Sequence, residues 1–168
     1  MLFRSTLAAN ILYAANAADY DECYAAAEET VYNGSAKKKL ADLVECLGGD
    51  KRYIYDTSLF AESNVSAVLA ADRSGYITDI DAMDVGRAAW ILGAGRSVMG
   101  AAIDHTAGIV FNKPVGEYVS AGEAVATLQT RGIDKAQAGM EHLFRAITIG
   151  AAAPQKRPLV LKCIGGKY

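Results

Sequence analysis

The stretch from 74 to 96 constrains the fold most, because a strand pattern passes directly into a helix pattern there. Its first part alternates two sets of side chains, which is the period of a strand: Tyr76, Thr78 and Ile80 against Ile77, Asp79 and Asp81. Its second part repeats apolar residues at the spacing of one helix face: Val85, Ala88, Ala89 and Leu92. The sequence therefore predicts a strand followed at once by a helix.

Both ends of this helix carry recognisable signals. Asp81 or Asp84 can cap its start, because a carboxylate accepts hydrogen bonds from the free N–H groups of the first turn. Gly93 and Gly95 can end it, since glycine adopts the left-handed conformation at little steric cost. A glycine within a helix costs about 1 kcal/mol relative to alanine, so we expect Gly86 to admit a neighbouring backbone.

The charge balance excludes some partners. The 168 residues include 17 basic and 19 acidic side chains, which provides no general electrostatic footprint for nucleic acid or an anionic membrane. Lys37, Lys38 and Lys39 form the only basic run. We interpret this run as the solvated side of a short helix, and a phosphate contact is the alternative.

Cysteine usage indicates a reducing compartment. Cys23, Cys46 and Cys163 are an odd number without a close pair, and neither His105 nor His142 lies at zinc-ligand spacing from them. We interpret the three as reduced and mostly buried, which favours the cytoplasm. No metal and no cofactor are expected.

The N-terminus allows two interpretations. Arg4, the apolar run 7–15 and the small residues at 15–17 are typical of a weak signal peptide, although Asn10 interrupts the run. The run is also too short to cross a bilayer, which needs about 20 residues. The alternative is a helix with one apolar side made of Leu7, Ile11 and Ala14 or Ala15.

Periodicity divides the chain into three parts: a helical segment 1–49, a connector 50–64 and an α+β domain 65–168. Helices are predicted at 2–18, 19–32 and 36–47, with Leu40, Leu43, Val44 and Leu47 on one side of the third. Beyond the stretch 74–96, strands are predicted at 65–70, 108–111, 115–119, 124–128 and 159–164, with a helix after Asp134.

Few side chains in this pattern suggest chemistry. Asp79 and Asp81 share one face of a strand, which suits acid-base catalysis, but capping explains them more simply. His105 lies beside an acid in a predicted loop, while His142 is interpreted as structural. The glycines at 92–96 follow a helix instead of a strand, so a helix stop is favoured over a nucleotide site.

Several spaced motifs resemble the C-terminal domain of pyrimidine-nucleoside and thymidine phosphorylases: Gly75–Ala82, Gly86–Ala89, Leu92–Arg96, Val115–Val119 and Ala121–Leu128. Gly48-Gly49-Asp50 resembles the point where that family's chain leaves a helical domain. The resemblance implies an α+β fold with a small barrel-sandwich-like sheet packed by helices. It also implies a cytoplasmic homodimeric pentosyltransferase that uses phosphate to cleave uridine, deoxyuridine or thymidine into base and pentose 1-phosphate.

The family's lysine-serine-glycine-glycine phosphate loop does not occur in this sequence, so the resemblance transfers no catalytic, cofactor-binding or metal residue. Whether the chain is an enzyme by itself therefore stays open, and we expect no turnover without the missing N-terminal portion. The expected partner is that portion, or a second copy bound through residues 2–47. The alternative is a non-catalytic module, either for protein interaction or similar to biotinyl and lipoyl carriers, with Lys113 as the candidate carrier lysine.

Overall fold

The computed structural model describes residues 2–96, 98–156, 158, 160–162 and 164–165. The chain forms two compact units. One contains the residues up to 60 together with the described residues after 156, and the other is Ala61–Lys156.

The first unit is helical. It consists of α1 (Leu2–Ala14), α2 (Tyr20–Tyr32), α3 (Ser35–Cys46), the short α4 (Arg52–Tyr55) and a 3-10 turn at Thr57–Leu59. Helix α2 begins as predicted, because the Asp19 carboxylate accepts a hydrogen bond of 2.9 Å from the backbone N–H of Glu22. The three predicted helices are confirmed.

The side of α1 that packs consists of small residues. Leu7 and Ile11 are 55% and 62% exposed, whereas Ser5 and Ala9 are buried. Helix α1 packs against α2, whose buried residues are also small, Cys23 and Ala27. Small side chains allow the two helices to approach closely, and Leu7 and Ile11 are left outside.

The second unit contains two separate antiparallel sheets. In the first sheet the strand order is β1 (Val65–Ala70), β5 (Ala124–Thr130) and β3 (Gly108–Phe111). In the second sheet it is β4 (Tyr118–Val119), β2 (Gly75–Ile80) and β6 (Ile147–Gly150). Helices α5 (Ala82–Ala89) and α6 (Ile133–Ala146) pack against each other.

The mixed α+β class is thus confirmed, but the sheets do not close into a barrel. Strands β4 and β5 are joined by a short turn but do not form a hairpin. They pair instead with strands of different sheets, β4 with β2 and β5 with β1 and β3.

One apolar core joins the first sheet to the two helices. Its buried members come from β1, α5, the turn after α5, β5 and α6: Leu69, Ala88, Leu92, Ala126, Leu128 and Leu143. A smaller cluster contains Ile77 and Val119 of the second sheet together with Val125 of β5 and Ala71, which follows β1. Ile147 packs against both clusters, so the start of β6 links the two sheets.

The predicted strand 159–164 is not found in its described part. Residues 160–162 and 164 are not in a strand, and 159 and 163 lie outside the described residues. Within the described ranges, no helix has both the length and the apolar character that a membrane span requires.

Candidate functional site

The predicted strand-to-helix passage is confirmed. Strand β2 ends at Ile80 and α5 begins at Ala82. Asp81 caps the helix, because its carboxylate accepts a hydrogen bond of 2.8 Å from the backbone N–H of Asp84. The carboxylate predicted as either a cap or a catalytic acid is therefore a cap.

The end of α5 is unusual. The helix continues as one π turn at Trp90–Ala94, and Gly93 ends it with φ at 112°, a backbone conformation that favours glycine. Such wide turns often mark functional sites. The indole Nε1 of Trp90 donates a hydrogen bond of 2.9 Å to the carbonyl of Arg96. This bond fixes the backbone that follows the turn.

Residues far along the chain satisfy two carbonyl groups of this turn. The buried hydroxyl of Thr130 donates to the carbonyl of Leu92 at 2.7 Å. The backbone N–H of Asp104 donates to the carbonyl of Gly93 at 2.9 Å. We call the group Trp90, Leu92, Gly93, Asp104 and Thr130 the π-turn junction. It joins α5, the link before β3 and the end of β5.

The carboxylate of Asp104 is held through one of its oxygens. Its Oδ1 accepts hydrogen bonds from Thr106, at 2.7 Å from the hydroxyl and 3.0 Å from the backbone N–H. Arg131 Nε lies 3.3 Å from the same oxygen. The Thr106 hydroxyl, together with the positive charges of Arg131 and Lys135, holds the pKa of Asp104 below its ordinary value. Asp104 is therefore a fixed anion that organises the junction and is unsuited to act as a general base near neutral pH.

The other candidate acid and base residues do not meet. Asp79 and His105 are both exposed, Asp79 in β2 and His105 in the turn after Asp104. The neighbouring carboxylate of Asp104 is directed to Thr106 and Arg131. Among the described residues, His105 forms no hydrogen bond or ion pair with Asp104.

His142 is structural, as predicted. Its Nδ1 lies 3.7 Å from Asp84 Oδ1 and 3.2 Å from Arg145 Nη2. Arg87 also contacts Asp84 Oδ1, at 3.1 Å. Because Asp84 is on α5 and His142 on α6, these polar groups link the two helices beside their apolar contact.

Lys113 lacks the setting of a carrier lysine. Its Nζ lies 2.9 Å from Glu123 Oε1 and 3.9 Å from Glu117 Oε2. The hydrogen bond and charge of Glu123 raise the pKa of Lys113. The lysine also lies between β3 and β4, which belong to different sheets, and so it does not occupy the tip of a hairpin. This geometry argues against the carrier alternative.

The lysine run and two of the cysteines lie on helices α2 and α3. Lys37, Lys38 and Lys39 are exposed on α3, which confirms the solvated-helix interpretation. Cys23 is a buried free thiol as expected, whereas Cys46 is exposed; Cys163 lies outside the described residues. The residues that the structure describes contain no group of three or more His, Cys, Asp or Glu side chains able to hold a metal ion.

Comparison with known proteins defines the class. Residues 76–150 match the family described as pyrimidine nucleoside phosphorylase C-terminal domain, a segment that runs from β2 to the end of β6 and includes the whole π-turn junction. The chain belongs to the pyrimidine-nucleoside phosphorylase family, and it matches the C-terminal part of that family's members.

Individual relatives agree. Thymidine phosphorylase of Mycobacterium tuberculosis is 37% identical over 133 residues, which are 79% of this chain and 30% of that protein. Pyrimidine-nucleoside phosphorylase of Bacillus subtilis is 36% identical over 124 residues, or 73% of this chain and 29% of that protein. The Staphylococcus aureus protein of the same name is 32% identical over 130 residues, or 77% and 30%. The chain thus spans about three-tenths of the length of these relatives.

Sequence reasoning missed the roles of Thr130, Arg131 and Asp104. The only signal was the glycine at 93. It indicates that the helix stops, but it does not indicate which groups donate hydrogen bonds to the last carbonyls of the helix. The partner Thr130 is 38 residues away from Leu92. No local pattern connects the two positions.

Proposed function

We propose that this chain is the C-terminal part of a pyrimidine-nucleoside phosphorylase and is inactive without the N-terminal part of such an enzyme. In the complete enzyme, phosphate cleaves uridine, deoxyuridine or thymidine and yields the free base and pentose 1-phosphate. The complete enzyme is a cytoplasmic homodimer in this proposal.

One observation carries the proposal. The matched relatives are named thymidine phosphorylase and pyrimidine-nucleoside phosphorylase, yet the match covers only 30% of the Mycobacterium tuberculosis protein. The residues that phosphorolysis requires are absent from the match, because the lysine-serine-glycine-glycine phosphate loop does not occur in this sequence. A phosphate anion needs a cradle of backbone N–H groups and cationic side chains.

The described chemistry of the second unit agrees with a non-catalytic role. Asp81 is used as a helix cap, Asp104 is held by Thr106 and Arg131, and Lys113 is paired with Glu123. Each of these polar groups stabilises a turn or a junction. The second unit therefore supplies a preformed body that closes over substrates held elsewhere.

The test is phosphate-dependent release of thymine from thymidine and uracil from uridine. The chain is assayed alone and after co-expression with the N-terminal part of the Mycobacterium tuberculosis enzyme, which ends where the matched segment begins. We expect no product from the chain alone and measurable product from the pair. Product from the chain alone contradicts the proposal. The control is the Mycobacterium tuberculosis enzyme expressed as two separate parts. If those two parts are active together but the pair with this chain is inactive, the proposal is also contradicted.

A further inference from the structure

Large apolar side chains are exposed on the helical unit while small ones are buried. On α1 and α2 the exposed residues are Leu7, Ile11 and Val31, at 55%, 62% and 49%. On α3 the residues Leu40, Leu43 and Leu47 are 48%, 53% and 79% exposed. The buried positions of these helices are Ser5, Thr6, Ala9, Cys23, Ala27 and Ala41. This arrangement is the reverse of a helical body that faces only water, in which the large apolar side chains are inside.

Part of this exposed surface is a groove between α1 and α2. It has a volume of about 460 Å³ and is lined mainly by Ala8, Ile11, Leu12, Ala27 and Val31, with Arg4 as its charged residue. We call it the α1–α2 groove. Its width and apolar lining suit the side chains of another helix or strand.

The second exposed surface is the leucine stripe of α3, formed by Leu40, Leu43 and Leu47. Residues at this spacing lie on one side of a helix. Lys38 points about 160° away from Leu40, at roughly 100° of rotation per residue. Lys38 therefore lies on the opposite side of α3 from the leucine stripe, whereas Lys37 and Lys39 flank it.

We propose that the N-terminal part of a pyrimidine-nucleoside phosphorylase covers the α1–α2 groove and the leucine stripe of α3. This inference rests on the proposed function. The matched relatives supply the occupant, because about seven-tenths of the Mycobacterium tuberculosis protein lies outside the match. A second copy of this chain is the other occupant to consider. Sedimentation of the chain alone distinguishes this occupant from the N-terminal part.

The experiment is co-expression of the tagged full chain with the N-terminal part of the Mycobacterium tuberculosis enzyme, followed by copurification and sedimentation. The variants are Ile11→Asp for the α1–α2 groove and Leu43→Asp for the leucine stripe. Lys38→Glu is the matched control, since it also alters charge on α3 but on the opposite side. All three positions are exposed, so far-UV circular dichroism is expected to show the same helix content in each. The N-terminal and C-terminal parts of the Mycobacterium tuberculosis enzyme, co-expressed in the same way, give the reference yield of copurification.

We expect the wild-type chain and Lys38→Glu to copurify at the reference yield, and each aspartate variant to copurify at least tenfold less. Equal recovery of all four chains would overturn the assigned surface. Failure of the wild-type chain to copurify, together with a dimer that Leu43→Asp dissociates, would show that a second copy is the occupant. A complex that forms as expected but releases no thymine would contradict the proposed function and leave the docking surface supported.

Discussion

The hydrogen bond from the Thr130 hydroxyl to the carbonyl of Leu92 can be tested by its effect on stability. Both residues are fully buried, and the hydroxyl and the carbonyl oxygen are 2.7 Å apart. Thr130→Val keeps the shape of the side chain and removes the donor. The carbonyl of Leu92 then loses its partner in a dry environment, which costs about 1–3 kcal/mol.

For a unit of about 100 residues, each kcal/mol lowers the melting temperature by roughly 4–8 °C, so a loss near 2 kcal/mol lowers it by about 8–16 °C. The assay is urea unfolding followed by fluorescence of Trp90, the single tryptophan, which lies in the same π turn. The matched control is Thr127→Val on the same strand, because among the described residues the hydroxyl of Thr127 accepts only a long hydrogen bond of 3.5 Å, from Asn112 Nδ2. We expect the control to lie within about 0.5 kcal/mol of the wild type. Equal stability of the two variants would refute the role assigned to Thr130.

Three further predictions concern single positions. Gly86→Ala is expected to stabilise the chain by about 0.5–1 kcal/mol, because a Cβ there meets nothing within 4 Å and alanine is the better helix former; unchanged or lower stability in urea unfolding would contradict this. Gly139→Ala is expected to destabilise the chain, because the overpacking of about 1–3 kcal/mol from a new Cβ 2.9 Å from Leu92 Cδ2 in the core outweighs the helix gain of about 0.5–1 kcal/mol; a melting temperature above that of wild type would contradict the tight contact. Asp104→Asn is expected to flatten the acid limb of stability against pH. The pKa of Asp104 is lowered on folding, so its contribution is present above the unfolded value of about 3.9 and is lost as pH falls through the folded value. Parallel acid limbs for the variant and the wild type would count against this role.

Local features of the second unit could be predicted from the sequence. The passage from β2 to α5 and its cap at Asp81 depend on periodicity and capping within a few residues, and both are confirmed. The expected close approach of a backbone at Gly86 is wrong, because that side of α5 is open. The glycine that does admit a neighbour is Gly139 on α6, beside Leu92. A helical glycine looks the same in the sequence whether it faces solvent or a packed side chain.

Long-range features could not be predicted, because the sequence does not state which surfaces meet. The apolar residues of α1 and α3 were correctly placed on one side of each helix, but Leu7, Ile11 and Leu43 are exposed in the described chain. Amphipathicity identifies a side that needs a partner and does not identify the partner. The resemblance to phosphorylases, confirmed by the match of residues 76–150, supplied what periodicity could not.

The central claim is that this chain contributes a body to a phosphorylase whose phosphate site lies elsewhere. The most direct test measures thymine release from thymidine at saturating phosphate, for the chain alone and for the chain copurified with the N-terminal part of the Mycobacterium tuberculosis enzyme. The account predicts no release by the chain alone and phosphate-dependent release by the pair. Phosphate-dependent release by the chain alone would contradict it, because the phosphate site would then have to lie among the residues described here.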